Sequence, residues 1–232
     1  MSTSAPPRTA YTTRRTKETT ITLALSLDGG LLTTVIPTDS PLQRTLRPSP
    51  FESHHASQYS PTQSIHIHTG IGFLDHLLHA LAKHSGWSLH LLCTGDLIID
   101  DHHTAEDVAL ALGSAFSSAL RPLTGLARFS HAYAPLDESL SRAVIDLSSR
   151  PSAHLNIPFK REKVGDLSTE MIEHVFESFA QEAGITLHVD LITGKNDHHK
   201  AESAFKALAL ALRGACTRTG GMEVPSTKGV LF

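Results

Sequence analysis

The sequence predicts an α+β fold in which one half-domain is used twice, roughly β-β-α-β-α in each half, with helices packed on mixed or antiparallel sheets. Three observations carry that prediction. Apolar residues recur at helical spacing in two stretches 98 positions apart. An alternating, strand-like segment follows each stretch. An acidic turn and a His-His-x-x-Glu helix then close both halves.

Taken in chain order, residues 1–17 are rich in Ser, Thr and Arg and lack an apolar stripe. They are expected to be a mobile arm. The first repeat, residues 18–125, opens with alternating residues from Ile21 to Leu27 and from Leu31 to Ile36. The turn between them, Asp28-Gly29-Gly30, is a hairpin signal. Residues 37–63 hold five prolines and many polar residues, and are expected to be a flexible surface insertion. The pair His54-His55 lies there, with no Glu at helical spacing, and is not expected to bind metal.

Beyond the insertion, Leu74, Leu77, Leu78 and Leu81 mark one face of a helix, and Gly86 marks its stop. Ser88-Leu89-His90 opens a strand. In the second repeat, residues 126–218, the corresponding positions are Ile172, Val175, Phe176 and Phe179, then Gly184, then Thr186-Leu187-His188. The following loop is two residues shorter in the second half. At the resulting offset of 96, Asp101-His102-His103-x-Ala105-Glu106 meets Asp197-His198-His199-x-Ala201-Glu202. Apolar helices continue over Val108–Leu120 and Ala204–Cys216. Upstream in the second half, strands are expected over Phe129–Leu136 and Leu140–Leu147, with a further one at His154–Phe159. Residues 219–232 form a tail.

Composition excludes several classes of function. With 40% hydrophobic and 19% charged residues the chain has a globular profile. A net charge of −3 and scattered basic residues give no nucleic-acid footprint. No apolar run approaches the length of a membrane span. Cys93 and Cys216 stand far apart without a CxxC, which argues against a disulfide framework or a thiolate site and suits a reducing compartment.

Sixteen histidines are the unusual count, and their arrangement decides what they mean. On a helix, His102 with Glu106 and His198 with Glu202 share a face at i, i+4, so each pair can offer a nitrogen and an oxygen to one ion. The adjacent His103 and His199 point about 100° away and suit a different ion. His76 and His174, on the preceding helices, add one nitrogen each. Six histidines and two glutamates thus make two sites of three His and one Glu. Such sites suit Mn²⁺, Fe²⁺, Zn²⁺ or Ni²⁺. His66, His68, His79, His84, His90, His131, His154 and His188 lack that repeated setting and are read as strand, helix or loop residues. Spacing alone leaves open a dinuclear hydrolase and a non-catalytic metal-storage assembly. A doubly wound nucleotide fold lacks its Gly-rich phosphate loop.

Longer stretches carry a family resemblance. Thr69-Gly70-Ile71-Gly72-Phe73-Leu74-Asp75-His76, Asp100 to Asp107, His131 to Glu138, Gly194 to Glu202 and Pro225 to Leu231 resemble imidazoleglycerol-phosphate dehydratase. The similarity runs from about Glu18 to the C-terminus, and the 37–63 insertion departs from the family's short connection. The resemblance implies dehydration of imidazoleglycerol phosphate to imidazoleacetol phosphate in histidine biosynthesis, in the cytoplasm, with two Mn²⁺ ions per active site. It implies a 24-subunit homo-oligomer with sites between subunits, no nucleic acid and no membrane. One ion would take His76, His103, His198 and Glu202. The other would take His102, Glu106, His174 and His199. Glu18 would transfer the proton. Arg128, Arg150, Lys206, Ser226 and Lys228 would hold the phosphorylated imidazole substrate. Without the resemblance, these residues read as surface charges or turn residues, although Lys206 lies at i+4 from Glu202 and so faces the same side.

Overall fold

The computed structural model describes residues 6–46 and 55–231. Each half is a sheet with two helices laid on one face. The first comprises β1 (Thr9–Arg15), β2 (Thr19–Ser26), β3 (Ser57–Ser60), β4 (Gln63–His68), α1 (Gly72–Ser85), β5 (Ser88–Gly95) and α2 (His102–Leu120). The second comprises β6 (Phe129–Leu136), β7 (Ser139–Asp146), β8 (Ser152–Asn156), the two-residue β9 (Lys163–Val164) and β10 (Leu167–Ser168), α3 (Thr169–Ala183), β11 (Thr186–Thr193) and α4 (Asp197–Ala215).

The sheets, ordered β1-β2-β5-β4-β3 and β6-β7-β11-β8, share one four-strand topology, to which the first adds β3 at its edge. In both, a hairpin pairs antiparallel with the strand between the two helices, which pairs parallel with a fourth strand. Register repeats too. Tyr11, Ala24, His90 and His66 form one row across the first sheet, and His131, Val144, His188 and His154 form the matching row in the second.

The helices lie between the sheets. α2 packs on β1 and β2, α4 packs on β6 and β7, and the halves meet through α1 against α4 and α2 against α3. This central layer contains the main core, including Leu74, Leu78, Phe116, Phe176, Phe205 and Leu208. Burying one apolar face of each element against the next is what drives the two halves together. Gly86 and Gly184 end α1 and α3 with left-handed backbone at φ 80° and 68°, the conformation a glycine adopts without a Cβ penalty.

Three expectations need correction. Residues Thr9–Arg15, expected to belong to a mobile arm, are strand β1, paired along its length with β2. Leu31–Ile36 is not a strand. β2 already has β1 on one side and β5 on the other, so no edge remains for a third partner. Instead Gly30 N–H donates to the Thr62 carbonyl at 2.9 Å, and Ile36 N–H to the Leu32 carbonyl at 3.0 Å. Leu32 and Ile36 then pack with Ala24 and Leu42 on the outer face of the first sheet.

The described parts of the insertion are also tied down. A 3₁₀ turn at Pro41–Thr45 covers that same outer face, and β3 extends the sheet edge by pairing antiparallel with β4. Beneath them His90 is fully buried, with Thr45 Oγ1 2.6 Å from Nδ1 and Ser64 Oγ 2.8 Å from Nε2. His54 lies outside the described residues. His55 Nε2 rests 3.2 Å from the Gly72 carbonyl. The strand expected at His154–Phe159 sits slightly earlier, at Ser152–Asn156.

Candidate metal centre

The contacts between halves bring the predicted ligands together, and each cluster draws on both repeats. α1 carries His76 to α4, where its Nε2 lies 2.9 Å from Glu202 Oε2; His198 Nε2 lies 3.2 Å from the same oxygen. α3 carries His174 to α2. Its Nε2 lies 3.4 Å from Glu106 Oε1, and His102 Nε2 lies 3.9 Å from Glu106 Oε2. Within each trio the candidate ligand atoms lie within 4.8 Å of one another. Ligand atoms this close would suit one shared divalent ion.

The donor set fits a divalent cation: two imidazoles and a carboxylate, with coordination positions left over. The second trio adds another sign. His174 Nε2 is buried and makes no hydrogen bond. A solvent-shielded ring nitrogen that makes no hydrogen bond, with only the Glu106 carboxylate 3.4 Å away, is costly unless something binds it. At the first trio, the His76 hydrogen bond and the Lys206 ammonium, 2.7 Å from Glu202 Oε1, hold the Glu202 carboxyl well below the usual range, against the effect of burial. The carboxylate is therefore ionised, as a ligand must be.

Local structure fixes where these helices begin. Asp100 and Asn196 accept the N–H of His102 and His198, each at 2.9 Å. These contacts satisfy an otherwise unpaired donor in the first turn. Asp75 accepts both the N–H and the hydroxyl of Thr69, at 2.7 and 2.6 Å, which anchors the start of α1 just before His76. Asp197 is buried beside Lys200 at 2.7 Å and accepts the N–H groups of Lys160 and Arg161.

The structure separates His103 and His199 from the trios of their own chain. Their rings stand 81° and 88° to those of His102 and His198, and adjacent helical positions point about 100° apart. His103 Nδ1 lies 3.0 Å from Asp96, and His199 Nδ1 lies 2.7 Å from Glu138. These carboxylates raise the pKa of both histidines. Asp96 and Glu138 had not been singled out by sequence reasoning.

Glu18 sits at the tip of the β1–β2 hairpin, with Oε1 3.7 Å from His103 Nε2. Asp107 on α2 holds that hairpin, accepting from Arg14 Nε at 2.8 Å and Thr19 Oγ1 at 2.5 Å. The expected phosphate-binding residues fall into two groups. Arg128 forks onto Asp146 at 2.7 and 3.1 Å and donates to the Pro225 carbonyl at 2.7 Å, which brings the Ser226–Lys228 segment beside it. Arg150 lies 3.8 Å from Asp146. Lys206 instead pairs with Glu202 of the first trio, its Nζ 2.7 Å from Oε1. A hollow of about 380 Å³ lined by Phe129, His131, Val144, Asp146 and His188 lies on the outer face of the second sheet and holds none of the eight candidate ligands.

Comparisons with known proteins point to one family. A family profile described as imidazoleglycerol-phosphate dehydratase matches residues 69–212. The imidazoleglycerol-phosphate dehydratase of Candida albicans is 58% identical over 227 residues, covering 97% of this chain and 98% of its own. That of Neurospora crassa is 60% identical over 234 residues, covering 100% of this chain and 99% of its own. Among solved structures, the Staphylococcus aureus dehydratase matches with a TM-score of 0.70 and 31% identity, covering 91% of this chain and 99% of that one. The Pyrococcus furiosus enzyme, solved with (S)-C348, matches with a TM-score of 0.70 and 28% identity over 95% of this chain and 100% of that one.

Proposed function

The chain belongs to the imidazoleglycerol-phosphate dehydratase family, and from that membership we propose how its residues perform the family's reaction. It is a hydro-lyase of histidine biosynthesis that dehydrates imidazoleglycerol phosphate; the product is imidazoleacetol phosphate. The observation that carries the reading of residues is the pair of His–Glu trios built across the repeat, each lacking one histidine that points outward.

His76, His198 and Glu202 hold one Mn²⁺, and His102, Glu106 and His174 hold the other. His103 completes the first kind of site and His199 the second, supplied by another copy of the chain. That division supports sites shared between subunits and the family's 24-subunit assembly. The exposure of Ile98 and Ile99, at 94% and 66%, supports a subunit contact beside this loop. When bound, the ions supply Lewis-acid and template chemistry to the imidazole ring.

The chain's own groups do the rest. Glu18, whose carboxylate lies on the Nε2 side of His103, takes the proton from carbon 2 of the glycerol chain and passes it to the hydroxyl that leaves the carbon beside the ring as water; the enol that remains shifts its hydroxyl proton to that carbon and becomes the ketone. Arg128, Arg150, Ser226 and Lys228, with residues 219–232 as a substrate-binding tail, hold the phosphate, while Lys206 reaches it from the metal side. Arg offers a planar fork and Lys a point charge for that purpose. Fixing the phosphate holds the ring against the metals and sets the C–H bond before Glu18. The buried free cysteines support a reducing, cytoplasmic setting, and among the described residues no helix is long and apolar enough to cross a membrane.

The test is a dehydratase assay with Mn²⁺, repeated after chelation and after Mn²⁺ is restored. Loss and recovery of imidazoleacetol phosphate formation support the reading. Equal turnover by the chelated enzyme contradicts it.

A further inference from the structure

The repeat places Glu18 and Glu138 at equivalent positions. They are 120 residues apart, as are Tyr11 and His131, and Ala24 and Val144, which occupy the same places in the two sheet registers. Each glutamate sits at the tip of its hairpin beside the outward-pointing histidine of its own half. Yet the two face opposite ring nitrogens: Glu18 lies 3.7 Å from Nε2 of His103, whereas Glu138 lies 2.7 Å from Nδ1 of His199.

The loops before the two His-His helices explain the difference. In the first half the longer loop supplies Asp96, whose oxygens lie 3.0 and 3.3 Å from Nδ1 of His103. The matching place in the second half is Gly194, which has no side chain to offer. Glu138 fills that role there, and its other oxygen accepts the N–H groups of Lys195 and Asn196 at 3.0 and 2.8 Å.

We propose that Asp96 and Glu138 are positioning residues that fix His103 and His199 as Nδ1–H tautomers, leaving each Nε2 lone pair free for a metal ion. It follows that Asp96, standing where the second half has Gly194, releases Glu18 for proton transfer while its repeat counterpart is committed to holding a ring. The inference rests on reading His103 and His199 as ligands. An ionised carboxylate only accepts hydrogen bonds, so a neutral ring facing it through Nδ1 must donate from there. Carboxylates behind ligating imidazoles act in this way in metal sites generally.

Glu138→Gln makes the sharpest test. The two backbone N–H groups can only donate, so they take the amide oxygen, and the amide NH₂ turns to Nδ1 of His199. The ring then accepts at Nδ1 and carries its proton on Nε2, which blocks the ligand atom. In Asp96→Asn both positions face one nitrogen, so the amide can turn its oxygen toward His103 and keep the tautomer. Mn²⁺ affinity and ions bound per chain would be measured by chelator competition for the full chain and both variants. Ring-¹⁵N spectra of the metal-free protein would report the tautomers.

Glu138→Gln is expected to weaken Mn²⁺ binding about 10–100-fold and to move the His199 proton to Nε2, with Asp96→Asn close to the parent. Unchanged affinity, or an unchanged His199 tautomer, overturns the proposal; a loss of charge alone would leave the tautomer as it was. If Glu138→Gln fails to fold, Asp96→Ala against Asp96→Asn decides. Weaker binding by Asp96→Ala alone supports the proposal, and equal binding overturns it. A parent chain that binds no Mn²⁺ removes the ligand reading and this inference together. A parent that binds normally alongside an unaffected Glu138→Gln removes this inference alone.

Discussion

Replacing Lys200 with methionine is expected to destabilise the metal-free chain by about 3–5 kcal/mol, the cost of leaving a buried charge unpaired. Lys200 and Asp197 are each 2% exposed and 2.7 Å apart. Lys200 also donates to the Pro158 carbonyl at 2.8 Å, and Asp197 holds the Lys160 and Arg161 N–H groups at 2.9 and 2.8 Å. Burial alone would push the Asp197 carboxyl up, but these partners hold it below the ordinary range. Lys200→Met strands that carboxylate at the first turn of α4, one residue before His198. In a chain of this length about 1 kcal/mol corresponds to about 2–4 °C, so Tm should fall by about 6–20 °C. Circular dichroism melts with chelator present, at matched protein concentration, measure this without contributions from bound metal. The double variant Asp197→Asn/Lys200→Met should regain about half of the loss, because the asparagine oxygen can keep the backbone N–H groups without a charge. A fall of less than about 2 °C for Lys200→Met, or no recovery in the double variant, would refute the reasoning.

Glu18→Gln should keep Mn²⁺ and substrate binding while kcat drops by about 100- to 10,000-fold; unchanged kcat removes Glu18 from proton transfer. Arg128→Lys loses the fork onto Asp146 and the hold on the Pro225 carbonyl, so KM should rise about 10-fold with a smaller change in kcat. His90 gives a pH dependence, since burial lowers its pKa to about 3. The folded chain keeps this ring neutral while the unfolded chain protonates it near pH 6.5, so its contribution is full above that pH. Below it, stability should fall by about 1.4 kcal/mol per pH unit until the folded pKa is reached. Melts between pH 7 and 5 should show that slope, and His90→Asn should flatten it.

The sequence carried the repeat, both His–Glu pairs and the four α-helices of the described residues, because helical period and ligand spacing are local signals. It did not carry β1. Thr9 to Arg15 is a polar run whose strand character comes from lying against β2, not from its own pattern. The double glycine at 29 and 30 imitates a hairpin turn, with both residues at positive φ, but the edge it would pair with is already taken. Strand β3 escaped notice inside a Pro- and Ser-rich stretch and β4 just beyond it, where Ile65 and Ile67 give only a short alternation. Asp96 and Glu138 were hidden for another reason: the roles of the two glutamates diverge because Asp96 stands where the second half has Gly194, and the consequence is spatial. Comparing Glu18 with Glu138 at the hairpin offset was the available signal.

The central claim is that each trio binds one divalent cation, and metal content per chain tests it most directly. After equilibrium dialysis against Mn²⁺, the parent chain should hold two ions, Glu106→Gln and Glu202→Gln should each lose one, and the combined variant should hold none. A natively folded double variant that still carries two ions would contradict the account.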